Sequence, residues 1–324
     1  MFSLPDKWVW DFWLTQDEDK YHIFYLQAPR SLGNAELRHH RATIGHAVTT
    51  DFRSWHVERD ALGPGPEGSW DDLAVWTGSV LYRRGVWHML YTGVNRAEQG
   101  LVQRIGLATS TDLLTWRRHP ANPVLEADPR WYEQLGQGRW RDQSWRDPFL
   151  FTVAGDDHVH VLITARLRDG APDGAGVIAE ARSIDLVDWK VLPPLTLPGE
   201  FAQVEVPQLV TIAGTRMVLF SCLAEDHSQA RLDRLGPGCA TAGTFVLVLD
   251  AHSGMYVPGD APLVPPDDEV LYAGKIVTDS DGGLGFMAFR SEGPDGFIGE
   301  LTDVLPTRFS TSAGLVVSAE VGRR

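Results

Sequence analysis

Three carboxylates lie at similar places in recurring segments of the sequence. Asp11 lies in WVWDFW, Asp147 in WRDPFLF and Glu205 in EVPQL, each at the start of a run of strand-forming residues. Glycoside hydrolysis requires a pair of carboxyl groups, because one protonates the leaving group while the other attacks the anomeric carbon or activates water. Three carboxylates in one pocket would repel one another, which raises the pKa of at least one. We therefore predict that these three residues are catalytic.

Each carboxylate opens a copy of the same unit, which is a strand, a tight turn and a second strand. Five copies of this hairpin occur, at residues 8–26, 77–93, 146–165, 205–222 and 272–289. Val, Ile, Phe, Tyr, Trp and Thr are concentrated in the copies, as strands prefer, and Gly and Asp mark the turns. Units that recur in this way are typical of a repeat architecture.

A second unit follows the hairpins and is a strand that ends in an Asp-containing turn and a Trp. It occurs at 44–55, 104–116 and 176–189, and a fourth copy at 244–256 lacks the Trp. Two hairpin strands, the strand of this unit and one more make the four-stranded blade of a β-propeller. The sequence therefore predicts an all-β fold, a five-bladed β-propeller with four antiparallel strands per blade. We expect a single domain over residues 1–324 without a C-terminal β-sandwich.

Polar residues outside the hairpins are predicted to have structural or peripheral roles. In the repeated turn, Asp51, Asp112 and Asp185 are expected to cap backbone N–H groups. The stretches 126–145 and 225–240 are predicted to be loops, the second inserted between strands of the fourth blade. Loops of this kind often carry specificity.

In a propeller the innermost strands of all blades meet at one axis, so residues far apart in sequence face a common pocket. We expect five places to contribute: Asp11, the cluster Trp76 to Ser79, Arg146 with Asp147, Glu205, and Tyr272 with Lys275. Three of the five blades supply a carboxylate there. The guanidinium of Arg146 is expected to favour the ionised form of its neighbour Asp147.

Composition limits the partners of the chain. The net charge of −14 argues against the phosphate backbone of a nucleic acid and against an anionic membrane. The 12 tryptophans suit a neutral carbohydrate, since indole faces stack on sugar rings, although most are expected to fill the core.

Cys222 and Cys239 lack metal-ligand spacing, so we predict no metal and no cofactor. The N-terminus shows no signal-peptide pattern and no apolar run could span a bilayer, which predicts a cytoplasmic protein.

Several motifs, in order along the chain, resemble those of the invertase–levanase family, glycoside hydrolase family 32. They are WVWDFW, YHIFYLQAP, VWTGSVL, LYTG, WRDPFLF, EVPQL and LYAGKIV. WRDPFLF matches the family's Arg-Asp-Pro motif in full, whereas the form of WVWDFW is closer to that of the related levansucrases of family 68. The invertase sequence Asn-Asp-Pro-Asn-Gly is absent around Asp11, and Val206 and Gln208 replace the family's Cys and Asp. These differences bear on the substrate more than on the chemistry.

The resemblance implies a retaining enzyme that acts on terminal β-fructofuranosyl units of sucrose or short fructo-oligosaccharides. It implies that Asp11 is the nucleophile, that Glu205 is the acid/base and that Asp147 stabilises the transition state. Further residues are expected to bind the sugar. They are Trp10, Gln27, Trp76, Ser79, Arg146, Tyr272 and Lys275. For Trp10 and Trp76, core packing explains the sequence as well as sugar stacking does, and Lys275 would equally serve to neutralise the acidic pocket.

Three other functions remain open on the sequence. The VWDFW form is compatible with transfer of the fructosyl group to another sugar. Inverting arabinanase-type propellers also use two Asp and one Glu, although the Arg-Asp-Pro motif argues against them. A propeller that binds sugar without catalysis would retain its function after loss of Asp11 or Glu205. The oligomeric state is not indicated by the sequence.

Overall fold

The computed structural model describes residues 1–137, 139–249, 255–278, 282–310 and 312–318, which form five antiparallel sheets arranged as the blades of a β-propeller. The first blade contains β1 (Lys7–Asp17), β2 (Lys20–Pro29), β3 (Thr43–Thr49) and β4 (His56–Val57). The second contains β5 (Ala74–Arg83), β6 (Val86–Val94), β7 (Arg104–Ser110) and β8 (Arg117–Arg118). The third contains β9 (Trp145–Thr152), β10 (Val159–Arg166), β11 (Gly176–Ser183) and β12 (Lys190–Val191).

The last two blades follow the same strand order. The fourth contains β13 (Glu205–Ile212), β14 (Thr215–Cys222), β15 (Gly243–Leu249) and β16 (Tyr256–Pro258). The fifth contains β17 (Leu271–Thr278), β18 (Leu284–Gly293), β19 (Gly296–Leu301), β20 (Leu305–Ser310) and β21 (Gly314–Val317). The five-bladed architecture is thus confirmed, and the fifth sheet differs from the prediction because it has a fifth strand, β19, which pairs with β18.

Helical segments lie only in connections among the described residues. They are the 3-10 helices Arg30–Leu32, Ala35–His40, Pro172–Gly174 and Ala224–Asp226, and the α-helix α1 (Gln229–Leu235). The helix α1 lies inside the stretch 225–240, between β14 and β15, where we predicted only a loop. It begins because the Ser228 side chain accepts a hydrogen bond from the N–H of Arg231. No helix in the described part of the chain is long and apolar enough to cross a membrane.

Two tight hairpins show how the local sequence sets the strand pairing. Arg84 and Gly85 join β5 to β6 with φ of 53° and 83°, and Ala213 and Gly214 join β13 to β14 with φ of 49° and 81°. Two-residue turns with both φ values positive match the twist of the flanking strands, and the Gly in each removes part of the steric cost. These turns fix the register of the inner strand in the second and fourth blades.

The repeated Asp turn caps backbone groups as expected. Oδ1 of Asp51 accepts hydrogen bonds from the N–H groups of Arg53 and Ser54 at 2.8 and 2.7 Å. Asp112 and Asp185 repeat this arrangement in the next two blades. The turn therefore stabilises the chain where it leaves the third strand of each of these blades.

The ring closes between the first and fifth blades. The backbone of Phe2 exchanges hydrogen bonds with Leu301 of β19, at 3.2 and 2.9 Å. The guanidinium of Arg30, which follows β2, donates to the carbonyls of Ile298 and Gly299 in the same strand. The additional strand β19 thus supplies the surface on which the first blade is held.

A buried arginine anchors the stretch 126–145 to the third blade. Arg166, at the end of β10, is fully buried and its Nε donates to Glu133 Oε2 at 3.0 Å. Its other nitrogens donate to the carbonyls of Ala202 and Pro172, and the guanidinium lies 3.9 Å from the ring centre of Trp140. One side chain therefore joins three connections at the edge of the blade.

We expect Arg166→Met to lower the free energy of unfolding by about 3–5 kcal/mol, because it leaves the Glu133 carboxylate buried without its partner. Equilibrium denaturation in urea measures the loss. Arg168→Met is the matched control, since Arg168 lies two residues later and pairs at 3.3 Å with the exposed Asp169; its loss should be at most about 1 kcal/mol. Equal losses in the two variants would contradict the anchoring role.

Candidate active site

All five inner strands carry a β-bulge at the same level. The pairing register shifts within β1, β5, β9, β13 and β17, each time near the start of the strand. The residues in the bulge with positive φ are Asp11 (31°), Asp147 (58°), Val206 (51°) and Ala273 (50°). A left-handed conformation of a non-glycine residue costs about 1–3 kcal/mol and persists only where the surroundings impose it. The bulges mark the axis-facing ends of the strands as a strained, repeated site.

The register refines the sequence prediction that the three carboxylates occupy equivalent places. Asp11 and Asp147 are bulge residues, whereas Glu205 lies one residue earlier and corresponds to Arg146 in the third blade. The one-residue offset matters because neighbouring residues of a strand point in different directions. We refer to Asp11, Asp147 and Glu205 below as the carboxylate cluster.

Asp11 is a half-buried carboxylate whose neighbours act on its charge in both directions. Its Oδ2 accepts a hydrogen bond from the hydroxyl of Thr77, in the bulge of β5, at 2.7 Å. Burial and the negative charges of Asp147 and Glu205 raise the pKa of Asp11 to about 7, while the Thr77 hydrogen bond and the Lys275 ammonium act in the opposite direction. Near neutral pH this group is therefore divided between its protonated and ionised forms.

Arg146 connects the other two carboxylates. Its Nη2 donates to Glu205 Oε1, and its Nε lies 3.6 Å from Asp147 Oδ2. Gln103 and Gln203 accept hydrogen bonds from the same guanidinium at 3.1 Å each. Burial alone would lower the pKa of Arg146, but Glu205 and Asp147 outweigh it and raise the pKa. Arg146 thus remains a cation between the two carboxylates, and its closer contact is with Glu205 rather than with its sequence neighbour.

Asp147 is almost fully buried, and one of its carboxylate oxygens accepts two hydrogen bonds. Its Oδ2 accepts from the hydroxyl of Thr164 at 3.0 Å and from the N–H of Val206 at 3.1 Å. Its own N–H donates to the hydroxyl of Thr92 at 3.0 Å. Burial raises the pKa of Asp147, and the attraction of Arg146 does not cancel this effect. Arg146 does favour the ionised form of Asp147, as we expected, but burial has the larger effect on the pKa.

The fifth blade contributes Tyr272 and Lys275 from either side of its bulge. The Tyr272 hydroxyl donates to Glu205 Oε2, so both oxygens of Glu205 have partners. The Lys275 ammonium is buried and donates to the backbone carbonyls of Val206 and Pro207 at 2.9 and 3.3 Å. Lys275, Thr77 and Asp147 line one end of a cavity of 310 Å³ that follows the inner strands beyond the bulges.

Two tryptophans that we predicted to bind sugar pack around the connection between β2 and β3. His39 lies edge-on between the rings of Trp10 and Trp76, with ring centres 6.2 Å from each. The indole N–H of Trp76 donates to the His39 carbonyl at 2.7 Å. Trp10 is buried, whereas Trp76 is partly exposed. Core packing thus explains the presence of Trp10. Trp76 retains an exposed surface that a ligand could contact.

Ser79 and Gln27 make their contacts away from the carboxylate cluster. The Ser79 hydroxyl accepts a hydrogen bond from the N–H of Leu150 at 2.9 Å and joins the second blade to the third. Gln27 is buried, and its amide contacts Lys7, Thr43 and Asp60. The structure therefore gives both side chains structural partners.

Sequence reasoning missed several residues that complete the site. They are Thr92, Gln103, Thr164, Gln203 and Asp226. Asp226 is buried beside the fourth blade, and burial together with the charge of Glu205 raises its pKa to about 6. Hydroxyl and amide residues are common in strands, so their sequence gave no signal. Only the folded ring shows which of them reach a neighbouring blade.

The arrangement combines the groups needed for acid–base and nucleophilic chemistry on a sugar. Two carboxyl groups with raised pKa values, the half-buried Asp11 and the buried Asp147, lie near a third that accepts hydrogen bonds from a guanidinium and a phenol. A carboxylate set of this kind can stabilise a cationic transition state at an anomeric carbon. Within the described residues, no cluster of His, Cys, Asp and Glu suits a metal ion.

Comparison with known families gives one match over most of the chain. Residues 7–252 match the model of the glycosyl hydrolases family 32 N-terminal domain. The chain is 26% identical to the sucrose-6-phosphate hydrolase of Lactococcus lactis subsp. lactis over 222 residues, which are 68% of this chain and 42% of that protein. It is 31% identical to the sucrose:sucrose 1-fructosyltransferase of Festuca arundinacea over 183 residues, 53% of this chain and 24% of that protein. The match thus spans less than half of either relative.

Solved structures share the fold. The inulosucrase from Halalkalicoccus jeotgali, bound to kestose, superimposes with a TM-score of 0.78 at 21% identity and covers 97% of this chain and 87% of its own. At this identity the likeness concerns the propeller and not the substrate.

Proposed function

The chain belongs to glycoside hydrolase family 32, and from this premise we propose that it is a retaining β-fructofuranosidase acting on sucrose or short fructo-oligosaccharides. The observation that carries the proposal is the carboxylate cluster itself. Asp11 and Glu205 come from different blades, and Arg146 joins Glu205 to Asp147. Segments that resemble the family's three catalytic motifs supply these residues, and this supports the proposal.

In the proposed first step the ionised Asp11 attacks the anomeric carbon of the fructosyl unit. A covalent bond forms between the carboxylate oxygen and this carbon, while the glycosidic bond breaks and Glu205 gives its proton to the leaving oxygen. In the second step Glu205 takes a proton from water, the water oxygen bonds to the anomeric carbon, and Asp11 leaves as a carboxylate. Atoms and charge balance over the two steps.

Asp147 and Arg146 are proposed to act on the sugar ring and on the charge that develops there. The anomeric carbon of fructose is fully substituted, so the transition state has strong cationic character, which nearby carboxylates stabilise. Hydrogen bonds from Thr164 and Val206 fix the Asp147 carboxylate in place. Trp76, with its accessible surface, is proposed to contact the sugar from the side of the β2–β3 connection.

Substrate and stereochemistry test this proposal together. The protein is incubated with sucrose, inulin-type and levan-type oligosaccharides and an aryl arabinofuranoside, in the presence of methanol as a second acceptor. We expect fructose from the fructosides and methyl β-fructofuranoside by NMR, because two inversions at the anomeric carbon give net retention.

Other outcomes select the alternatives. Longer oligosaccharides at high sucrose would show that a sugar is preferred to water as acceptor, as the name of the Festuca relative describes for that protein. An inverted anomer would contradict the role of Asp11 as nucleophile, and activity on the arabinofuranoside alone would contradict the proposed substrate class. Sugar binding without turnover of any substrate would favour the non-catalytic alternative.

A further inference from the structure

The Lys275 ammonium lies between the carboxylate cluster and the 310 Å³ cavity that follows the inner strands. The side chain is 5% exposed, and its ammonium donates to the carbonyls of Val206 and Pro207, the two residues after Glu205. An ammonium carries three N–H donors, so two carbonyls leave one donor for a further acceptor. Burying such a strongly hydrated cation is costly unless nearby charge and hydrogen bonds offset the loss of water.

The same backbone segment is held from its other side by the cluster. The N–H of Val206 donates to Asp147 Oδ2 at 3.1 Å, and the carbonyl of Val206 accepts from Lys275. Val206 has φ of 51°, an unfavourable conformation for a β-branched residue. Asp147 and Lys275 therefore hold both peptide groups of the strained residue that follows Glu205.

We propose that Lys275 is a positioning residue: its two hydrogen bonds hold the β13 bulge that orients Glu205, and its buried cation offsets the negative charge of the carboxylate cluster. The proposal rests on the proposed function for the roles of these carboxylates. It also replaces our prediction that Lys275 binds the sugar, because the ammonium is directed to backbone carbonyls and lines the cavity beyond the bulges.

The charged groups around Lys275 come from several blades. Asp11 in β1 and Asp147 in β9 act on its charge directly. Asp11 also interacts electrostatically with Glu205 and with the Arg38 guanidinium, and Asp147 interacts with Arg146. Burial lowers the pKa of Lys275 to about 8, against the attraction of the two aspartates. The cation is therefore retained at neutral pH and is lost as the pH rises through about 8.

The direction of the pH effect follows from these charges. Asp11 must be ionised to attack, so kcat/KM should fall as the pH drops through its pKa of about 7. Removing the Lys275 cation leaves the repulsion from Asp147 and Glu205 uncompensated, which raises the pKa of Asp11 further. The acid limb of the profile should then move to higher pH.

The experiment compares three variants in kcat/KM on sucrose as a function of pH. Lys275→Met keeps the length of the side chain and removes the charge, and Lys275→Arg retains the charge. Gln208→Met is the matched structural control, because Gln208 lines the same cavity and bonds to the backbone of Ile276 across the same pair of blades without a charge. We expect the acid limb to move up by about one pH unit or more in Lys275→Met, and to stay in place in Lys275→Arg and Gln208→Met.

A measurement without turnover separates this proposal from the proposed function. Titration of the ¹³C carboxyl signals of labelled aspartates, assigned with Asp11→Asn and Asp147→Asn, follows Asp11 directly in the wild-type protein. We expect its signal to show a second inflection as Lys275 loses its proton, even if no fructoside is cleaved. A single inflection in the wild type, or an acid limb that stays in place in a folded Lys275→Met variant, would overturn the role of Lys275.

Discussion

Replacing Asp11 with Asn is expected to lower kcat on sucrose by on the order of 10⁴-fold or more, as loss of a catalytic nucleophile does in other hydrolases. The amide nitrogen and oxygen cannot form the covalent intermediate at a useful rate. The fold should survive, because Asn tolerates positive φ as well as Asp does and its carbonyl can accept the hydrogen bond of Thr77. The effect is therefore chemical and not structural.

Steady-state kinetics on freshly purified Asp11→Asn, with thermal unfolding as the test of folding, measures this effect. Asp51→Asn is the matched control, since it is the same change in the same blade at a residue that caps a turn. Its kcat should remain close to that of the wild type. If Asp11→Asn keeps a kcat comparable to that of the control, another group is the nucleophile.

Replacing Glu205 with Gln is expected to produce a loss that depends on the leaving group. Sucrose needs a proton on its departing oxygen, so kcat/KM on sucrose should fall by roughly 10²- to 10⁴-fold, the usual contribution of general acid catalysis. An aryl fructofuranoside has a good leaving group, and its kcat/KM should change far less. The second step still lacks its base, so the covalent fructosyl–enzyme should accumulate with the aryl substrate.

Mass spectrometry of the quenched reaction and rescue by azide test this prediction. The fructosyl adduct should be found on the peptide that contains Asp11, and azide should restore turnover because it attacks without the help of a base. Equal losses on sucrose and on the aryl substrate, without azide rescue, would show that Glu205 only orients its neighbours Arg146 and Tyr272.

The sequence allowed the five blades to be predicted because the same hairpin and Asp turn recur in the same order. It also indicated that Asp11, Asp147 and Glu205 lie near one another, because each lies near the start of a hairpin. The bulges could not be predicted, because Val206 and Ala273 have no sequence preference for positive φ and nothing local distinguishes them from ordinary strand residues. The position of Glu205 one residue before its bulge is therefore visible only in the paired sheet.

Contacts within and between blades explain the remaining differences between the predicted and the observed site. Gln27 is polar and close to a resemblance motif, yet its partners Lys7, Thr43 and Asp60 lie within its own blade and the turn after it. Thr77 is an ordinary strand residue by composition but donates to Asp11 of the neighbouring blade. The angle between adjacent blades decides which hydroxyl or amide side chains reach the next blade. The periodicity of residues along one strand does not indicate this angle.

The bulges also constrain how such a sequence can diverge. At three of them the N–H of the bulged residue donates to a side chain of the preceding blade: Asp147 to Thr92, Val206 to Asp147, and Ala273 to Ser221. A substitution at Thr92 or Ser221 therefore removes the support of a residue more than fifty positions later in the chain. Substitutions at these sites should therefore occur together with substitutions in the following blade. Exchanging one blade between homologues without its neighbour should break these hydrogen bonds.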